Sequence, residues 1–338
     1  MPSSAADVVS PAFEHTIQQL FKPFRLGQWT RLGITGLLAG ELGSAGGCSF
    51  QIPSIPQSGN SSENFLAQGL PSVNAVALAA IVLTIVLGAI LLVALIYVNS
   101  MMRFVLFDSV IAKECHIRRY WAQRREPGFR YFVWQLLFTL VVLGGVTVFV
   151  STAAIIGFGL GWFRNPGQYI LPLILSGIVF FLAFAAFLIL AFTVSVLTKD
   201  FVVPQMAAED ISAVDGWRRL LSMLKAEKAG YAGYVGLKIL LSIAAAIVLG
   251  IAALVVIIVC LIPMGLAGLI AVLAANAAGL AWNFFTITLA IIAGCIVAAI
   301  ILCGIFLAAV PMVVFFPAYS IHFFEARYPP LGTMINSQ

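Results

Sequence analysis

Apolar and polar positions in this chain are sorted into long blocks. Five runs, 75–98, 131–160, 169–198, 232–261 and 284–314, are almost wholly apolar, and each exceeds the ~20 residues that a helix needs to cross a bilayer. The run 75–98, AVALAAIVLTIVLGAILLVALIYV, holds no charge at all. Hydrophobicity on every face over such lengths predicts helices solvated by lipid. Several runs are long enough to require tilt or extension beyond the hydrocarbon. A sixth run, 29–47, is weaker, because Arg31, Glu41 and many glycines interrupt it.

Basic, aromatic-rich stretches separate the runs at 12–31, 102–130 and 199–231. They carry Lys22 and Arg25; then Arg103, Lys113, Arg118, Arg119, Arg124, Arg125 and Arg130; then Lys199, Arg218, Arg219, Lys225 and Lys228; Arg327 follows the last run. The opposite loops, 48–74, 163–168 and 262–283, hold only Arg164. Lys and Arg mark the cytoplasmic side of membrane proteins. Both termini are therefore expected in the cytoplasm, which requires an even number of spans and brings in the sixth. The expected location is a bacterial inner membrane.

The basic stretches recur with two spans between copies. A shift of 100 places Arg118-Arg119 on Arg218-Arg219, Arg125 on Lys225 and Tyr131 on Tyr231; a shift of 203 places Lys22 on Lys225 and Gly27 on Gly230. The expected fold is all-α, a six-span helical membrane bundle built from three parallel repeats. The repeats fall at about 12–99, 100–198 and 199–314 of a single domain, and a cytoplasmic tail occupies 315–338. Each repeat pairs an interfacial amphipathic helix with two transmembrane helices. In 12–26, Phe13, Ile17, Leu20, Phe21 and Phe24 recur at helical spacing, and in 211–228 so do Ile211, Val214, Trp217, Leu221 and Leu224. Such helices lie in the headgroup plane with aromatics down and cations up. Ser212 followed by Asp215 predicts the start of the second. The residues expected to face lipid at this interface are Lys22, Arg25, Trp29, Arg118, Arg119, Trp121, Trp217, Arg218 and Arg219.

Composition agrees with the pattern. The chain of 338 residues is 62% hydrophobic and 9% charged, against about 25% charged in soluble domains, and its mean hydropathy is +1.07. The net charge of +5 sits at span ends, so it is read as orientation and attraction to anionic lipid; nucleic acid is not an expected partner. No cleavable leader is expected: Gly46-Gly47-Cys48 only loosely mimics a lipoprotein site, with Ala45 where Leu is usual. The loop 48–74 reads as irregular and exposed. Segment 262–283 is apolar enough to extend the flanking spans, to re-enter the membrane, or to lie on its outer surface. A disulfide from Cys48 to Cys260 is geometrically conceivable.

Chemistry is sparse. No nucleophile elbow, zinc motif, P-loop or dinucleotide fingerprint is present. The five cysteines lack metal spacing. His15, His116 and His322 fall one in each related basic stretch and are read as interfacial anchors; no metal site is expected, and no cofactor is implied. Two charges lie within spans, Glu41 and Lys238, and an intramembrane charge is the default functional suspect. Gly36 and Gly40, Gly43 and Gly47, and Gly157 and Gly161 bring small residues to four-residue spacing, read as close packing within the bundle. Pro172, Pro263 and Pro311 are read as boundaries or local breaks.

The phrase FVVPQMAAEDISAVDGWRRLLSMLKAEKAGYAGY at 201–234 resembles a signature in a broad group of bacterial and archaeal membrane proteins. That group is similar to the membrane-anchoring domain of some glycerophosphodiester phosphodiesterases. Pro204, Glu209, Ser212 and Trp217 carry the resemblance; Phe104 to Tyr131 repeats it more loosely, with Phe107 in place of the proline. It implies a six-span helical fold and no activity, because no phosphodiesterase domain is attached. The expectation is a non-enzymatic membrane scaffold or accessory subunit. Its partners would be membrane lipids and other membrane-protein subunits, with a homo-oligomer left open. The alternative is a transporter or channel for an apolar or amphipathic solute.

Overall fold

The computed structural model describes residues 4–22, 24–41, 75–160, 170–277 and 284–336, and among them no strand occurs. Part of the weak first span beyond Glu41, the loop 48–74 with Cys48, the loop 163–168 with Arg164, and residues 278–283 lie outside the described residues.

The helices are α1 (Val9–Phe21), α2 (Leu26–Leu38), α3 (Ala75–Ile111), α4 (Ile117–Gln123), α5 (Arg125–Gly159), α6 (Ile170–Leu197), α7 (Val203–Glu209), α8 (Ala213–Ala226), α9 (Lys228–Ala277), α10 (Phe284–Glu325) and α11 (Pro329–Asn336). One π-helical turn, Thr198–Val202, joins α6 to α7 without a break. Five helical segments are long and apolar enough to cross a membrane. They overrun it: α9 has 50 residues, about 75 Å at 1.5 Å per residue, against ~30 Å of hydrocarbon. The excess has two destinations. α9 runs on through Pro263 to Ala277, so the described part of 262–283 extends the span. At the other end, the long helices enter a packed layer rich in charge, called here the basic end.

The core lies in that layer. Within the most apolar windows of the five spans, 0 to 6% of residues are buried inside the chain. The buried residues gather instead where α1, α2 and α8 meet the ends of α3, α5, α7, α9 and α10. Aromatic rings fill its centre. Phe201 packs on Tyr234 at 5.0 Å and on Phe324 at 5.2 Å, and Tyr234 stacks on Tyr319 at 5.1 Å. Each fully buried ring contributes about 1.5–3 kcal/mol.

Residues 315–338 do not behave as a tail. α10 continues through Pro311 and Pro317 to Glu325, and Phe316, Tyr319, Phe323 and Phe324 are buried. Their apolar spacing carries the span pattern into the core. α2 has only 13 residues and ends at Ala39 and Gly40, the latter with φ +75°. It crosses α10 closely because Gly33 and Gly36 leave room: a Cβ on Gly33 would sit 2.7 Å from Phe306, and one on Gly36 would collide with Val313.

The short helices seat as their composition dictates. Ser212 caps α8, accepting from the Asp215 backbone N–H at 3.2 Å. α8 turns Ala213, Gly216 and Leu220 into the core and leaves Val214 and Leu221 exposed. α1 buries Ala12, Thr16, Gln19 and Leu20, while Phe13, Phe21 and Phe24 of the same stretch stay exposed. One apolar face serves the core and another is left for lipid.

Candidate functional site

The most concentrated chemistry is a cluster of ions inside the basic end. Its residues come from five places: Glu41 just past α2, Arg103 on α3, Tyr131 on α5, Lys199 and Asp200 on the π-turn, and Tyr234 and Lys238 on α9. Glu41 and Asp200 are each 4% exposed. Glu41 pairs with Lys199 at 2.6 Å. Asp200 pairs with Lys238 and accepts from the Tyr234 hydroxyl at 3.1 Å. Arg103 donates to the Tyr131 hydroxyl at 2.6 Å and to the Ala39 carbonyl at 3.1 Å. Three cations thus face two carboxylates. Buried charges require such pairing, because an unpaired ion costs several kcal/mol to desolvate.

The π-turn explains how adjacent residues both reach partners. A π-turn widens the helix locally, and such turns concentrate at functional sites. It lets Lys199 reach Glu41 while Asp200 reaches α9. The turn is pinned from below, where Trp217 of α8 donates its indole N–H to Thr198 at 3.0 Å. Beside the cluster lies a cavity of about 30 Å³, lined by Glu41, Arg103, Lys199, Asp200 and Ser320 among others. A space of that size takes one or two waters.

Polar ties extend outward on both sides. Asn99 caps the end of α2 through the Leu38 carbonyl at 2.9 Å, Gln135 donates to Asn99 at 3.1 Å, and Ser100 donates to Gln135 at 2.8 Å. Arg124 grips Asp108 with two bonds of 2.8 and 2.9 Å and donates to the Ala207 carbonyl at 2.7 Å, joining α3 to α7. At the rim, Arg327 grips Glu227 at 2.9 and 2.7 Å. Those bonds hold the Glu227 carboxyl below its ordinary range. Glu209 binds Arg219 and accepts from the Tyr328 hydroxyl at 2.6 Å, while burial, first, pushes Tyr328 up to about 12.

Both intramembrane charges singled out in the sequence, Glu41 and Lys238, belong to the cluster, yet their ion pairs run to Lys199 and Asp200. Lys199, Asp200, Arg103 and Tyr234 were not singled out as site residues, since a Lys or Arg at a span end reads as a topology signal. The signal that could have found them is the Lys199-Asp200 pair itself, with apolar sequence on both sides.

The interfacial residues divide. Lys22 and Arg25 are exposed near a shallow groove that includes Gln18 and Gln28. Arg118 and Arg119 are exposed and line, with Arg31 and His116, a groove of about 580 Å³. Arg218 is exposed beside Asp215. Trp121 is half-buried, edge-on to Tyr97 at 6.1 Å. Trp29 donates to the Leu20 carbonyl at 2.9 Å, so with Trp217 and Arg219 it is tied into the fold. His15 and His322 pack edge to face at 5.6 Å, whereas His116 lies near Glu114. Among the described residues, no three His, Cys, Asp or Glu side chains come together as metal ligands.

No curated protein and no solved structure matches the chain significantly. The one family match carries no link to glycerophosphodiester phosphodiesterases. Over residues 3–334, and so over nearly all of the helical assembly described above, the chain matches the model of a family of unknown function (DUF7544), and it belongs to that family.

Proposed function

We propose that this protein is a non-enzymatic membrane scaffold or accessory subunit, which holds lipid or other membrane proteins against its spans. One observation carries the reading: the chain packs its basic end densely and leaves the apolar windows of its spans 0 to 6% buried. A helix surface so apolar needs a cover, and in a membrane that cover is lipid or the spans of another protein.

In this reading the basic end faces the cytoplasm of a bacterial inner membrane, and α2 with the residues after it supplies a sixth span. Three parallel repeats account for the order of elements, because α1 before α2, α4 before α5, and α8 before α9 each place a short helix ahead of a longer one. The edge-on pairs Phe104–Tyr131 at 5.9 Å and Phe201–Tyr231 at 5.3 Å occupy matching places in two of them. Kinship with a membrane-anchoring domain would suit the same role.

The test is photo-crosslinking in the native membrane from unnatural residues at Ile251 and Leu175, both exposed, with buried Leu220 as control. Adducts to lipid, a second copy or one recurring protein at the exposed sites alone support the reading; equal yields at all three sites overturn it. The alternative, transport of an amphipathic solute, would use the ion cluster as its polar anchor. Reconstituted vesicles would then show flux that Glu41→Gln and Lys238→Met abolish.

A further inference from the structure

A second cavity stands apart from the ion cluster. It measures about 650 Å³ and lies between α6, α8 and α9. α6 packs beside α5 and α9 beside α10, while α6 and α9 hardly touch. α8 crosses beneath the gap. Its floor is Leu221 and Leu224, and its walls include Leu197 of α6 and Val235 and Ile239 of α9. Small residues keep it open: a Cβ added to Gly236 would meet nothing within 4 Å. From Lys228 to Ile239 the slot rises about 16 Å along α9.

The mouth differs from the walls. Lys225 and Lys228 line it and are exposed, and no carboxylate is among the lining residues. The carboxylate between them in sequence, Glu227, is gripped by Arg327. Two cations therefore stand over an apolar slot without an acidic neighbour to neutralise them.

We propose that this slot is a binding site for a membrane glycerophospholipid with an anionic headgroup. The phosphate sits between Lys225 and Lys228, and one acyl chain rises along α9 past Ala232 and Gly236. The site rests on the lipid-holding reading above and on the basic end lying at the membrane interface. Basic residues there attract anionic headgroups, and lysine stems extend along apolar surface while their ammonium groups reach the headgroup plane. A zwitterionic headgroup would lose the net attraction.

The experiment is native mass spectrometry of the purified chain in detergent, given equal amounts of phosphatidylglycerol and phosphatidylcholine. The first lipid retained should be phosphatidylglycerol. Lys225→Gln with Lys228→Gln should lower that preference about tenfold or more. Arg218→Gln, on α8 but outside the slot, should leave it unchanged, and Gly236→Phe should weaken retention of both lipids alike. No preference in the unaltered chain, a double variant within about twofold of it, or an equal loss in Arg218→Gln would each overturn the site. If a variant fails to fold, the unaltered chain still decides. Phosphatidylglycerol with a photoreactive acyl chain should label α6 near 193–197 or α9 near 232–239, and labelling confined to other segments overturns the proposal. Such a failure would leave crosslinks from Ile251 and Leu175 untouched, so it is distinguishable from failure of the scaffold reading.

Discussion

The two ends of the long helices are built on opposite principles. At the basic end, five buried ions, a knot of aromatic rings and several polar ties lock seven or more helices together. Toward the other end, the same helices expose nearly every side chain: Ile251 is 59% exposed and Leu175 65%. Lipid is as apolar as a leucine side chain, so the hydrophobic effect gives spans little reason to associate there. Where the chain reaches the interface, water is available and burial is again favourable. The packed layer sits where the solvent rewards packing.

Substitutions should respect that division, and the largest effect is expected in the cluster. Asp200→Ala strands Lys238 and the Tyr234 hydroxyl, and breaking a buried ion pair costs about 3–5 kcal/mol. Thermal unfolding in detergent should show the loss, and adding Lys238→Met should recover part of it. Equal stability of Asp200→Ala and the unaltered chain would remove the cluster from the account. Next comes Gly36→Val, which drives a branched side chain into Val313 where α2 crosses α10; overpacking of this kind costs about 1–3 kcal/mol.

A smaller effect is expected from acid. Burial holds the His15 imidazole below its ordinary 6.5, against the Val110 carbonyl, with nearby His322 and Lys113 adding to the depression. The folded chain therefore binds this proton less readily than the unfolded chain. The His15 contribution is complete above about pH 6.5 and is lost as pH falls through the lowered folded value. Melting temperature in detergent should drop below pH 6.5, and the His15→Gln variant should drop less. The smallest change belongs to the apolar end, where Ile251→Ala should alter stability by no more than about 0.5 kcal/mol. A loss of several kcal/mol there would mean that the chain covers Ile251 itself.

The same physics decides what could be read from the sequence. Uninterrupted apolar runs announce helices one by one, so α3, α5, α6, α9 and α10 were legible. Ser212 was legible as a cap because its cause is local, three residues from Asp215. The ion cluster was legible only by halves. Glu41 and Lys238 stood out against apolar neighbours, whereas Arg103 and Lys199 were absorbed into the count of topology-setting cations. Their partners lie far along the chain: Arg103 meets Tyr131, and Lys199 meets Glu41 across more than 150 residues. The segment after 314 was read as a tail because its apolar run ends there in small groups. Phe323 and Phe324 are buried only because α1, α9 and the π-turn converge on them.

The central claim is that the apolar half of this chain is completed by something outside the chain. Native mass spectrometry of the protein, extracted gently from its own membrane, tests it most directly. The account predicts that the chain emerges with a stoichiometric companion: lipid, a second copy, or another membrane protein. A bare monomer that carries no lipid and keeps its melting temperature would contradict it.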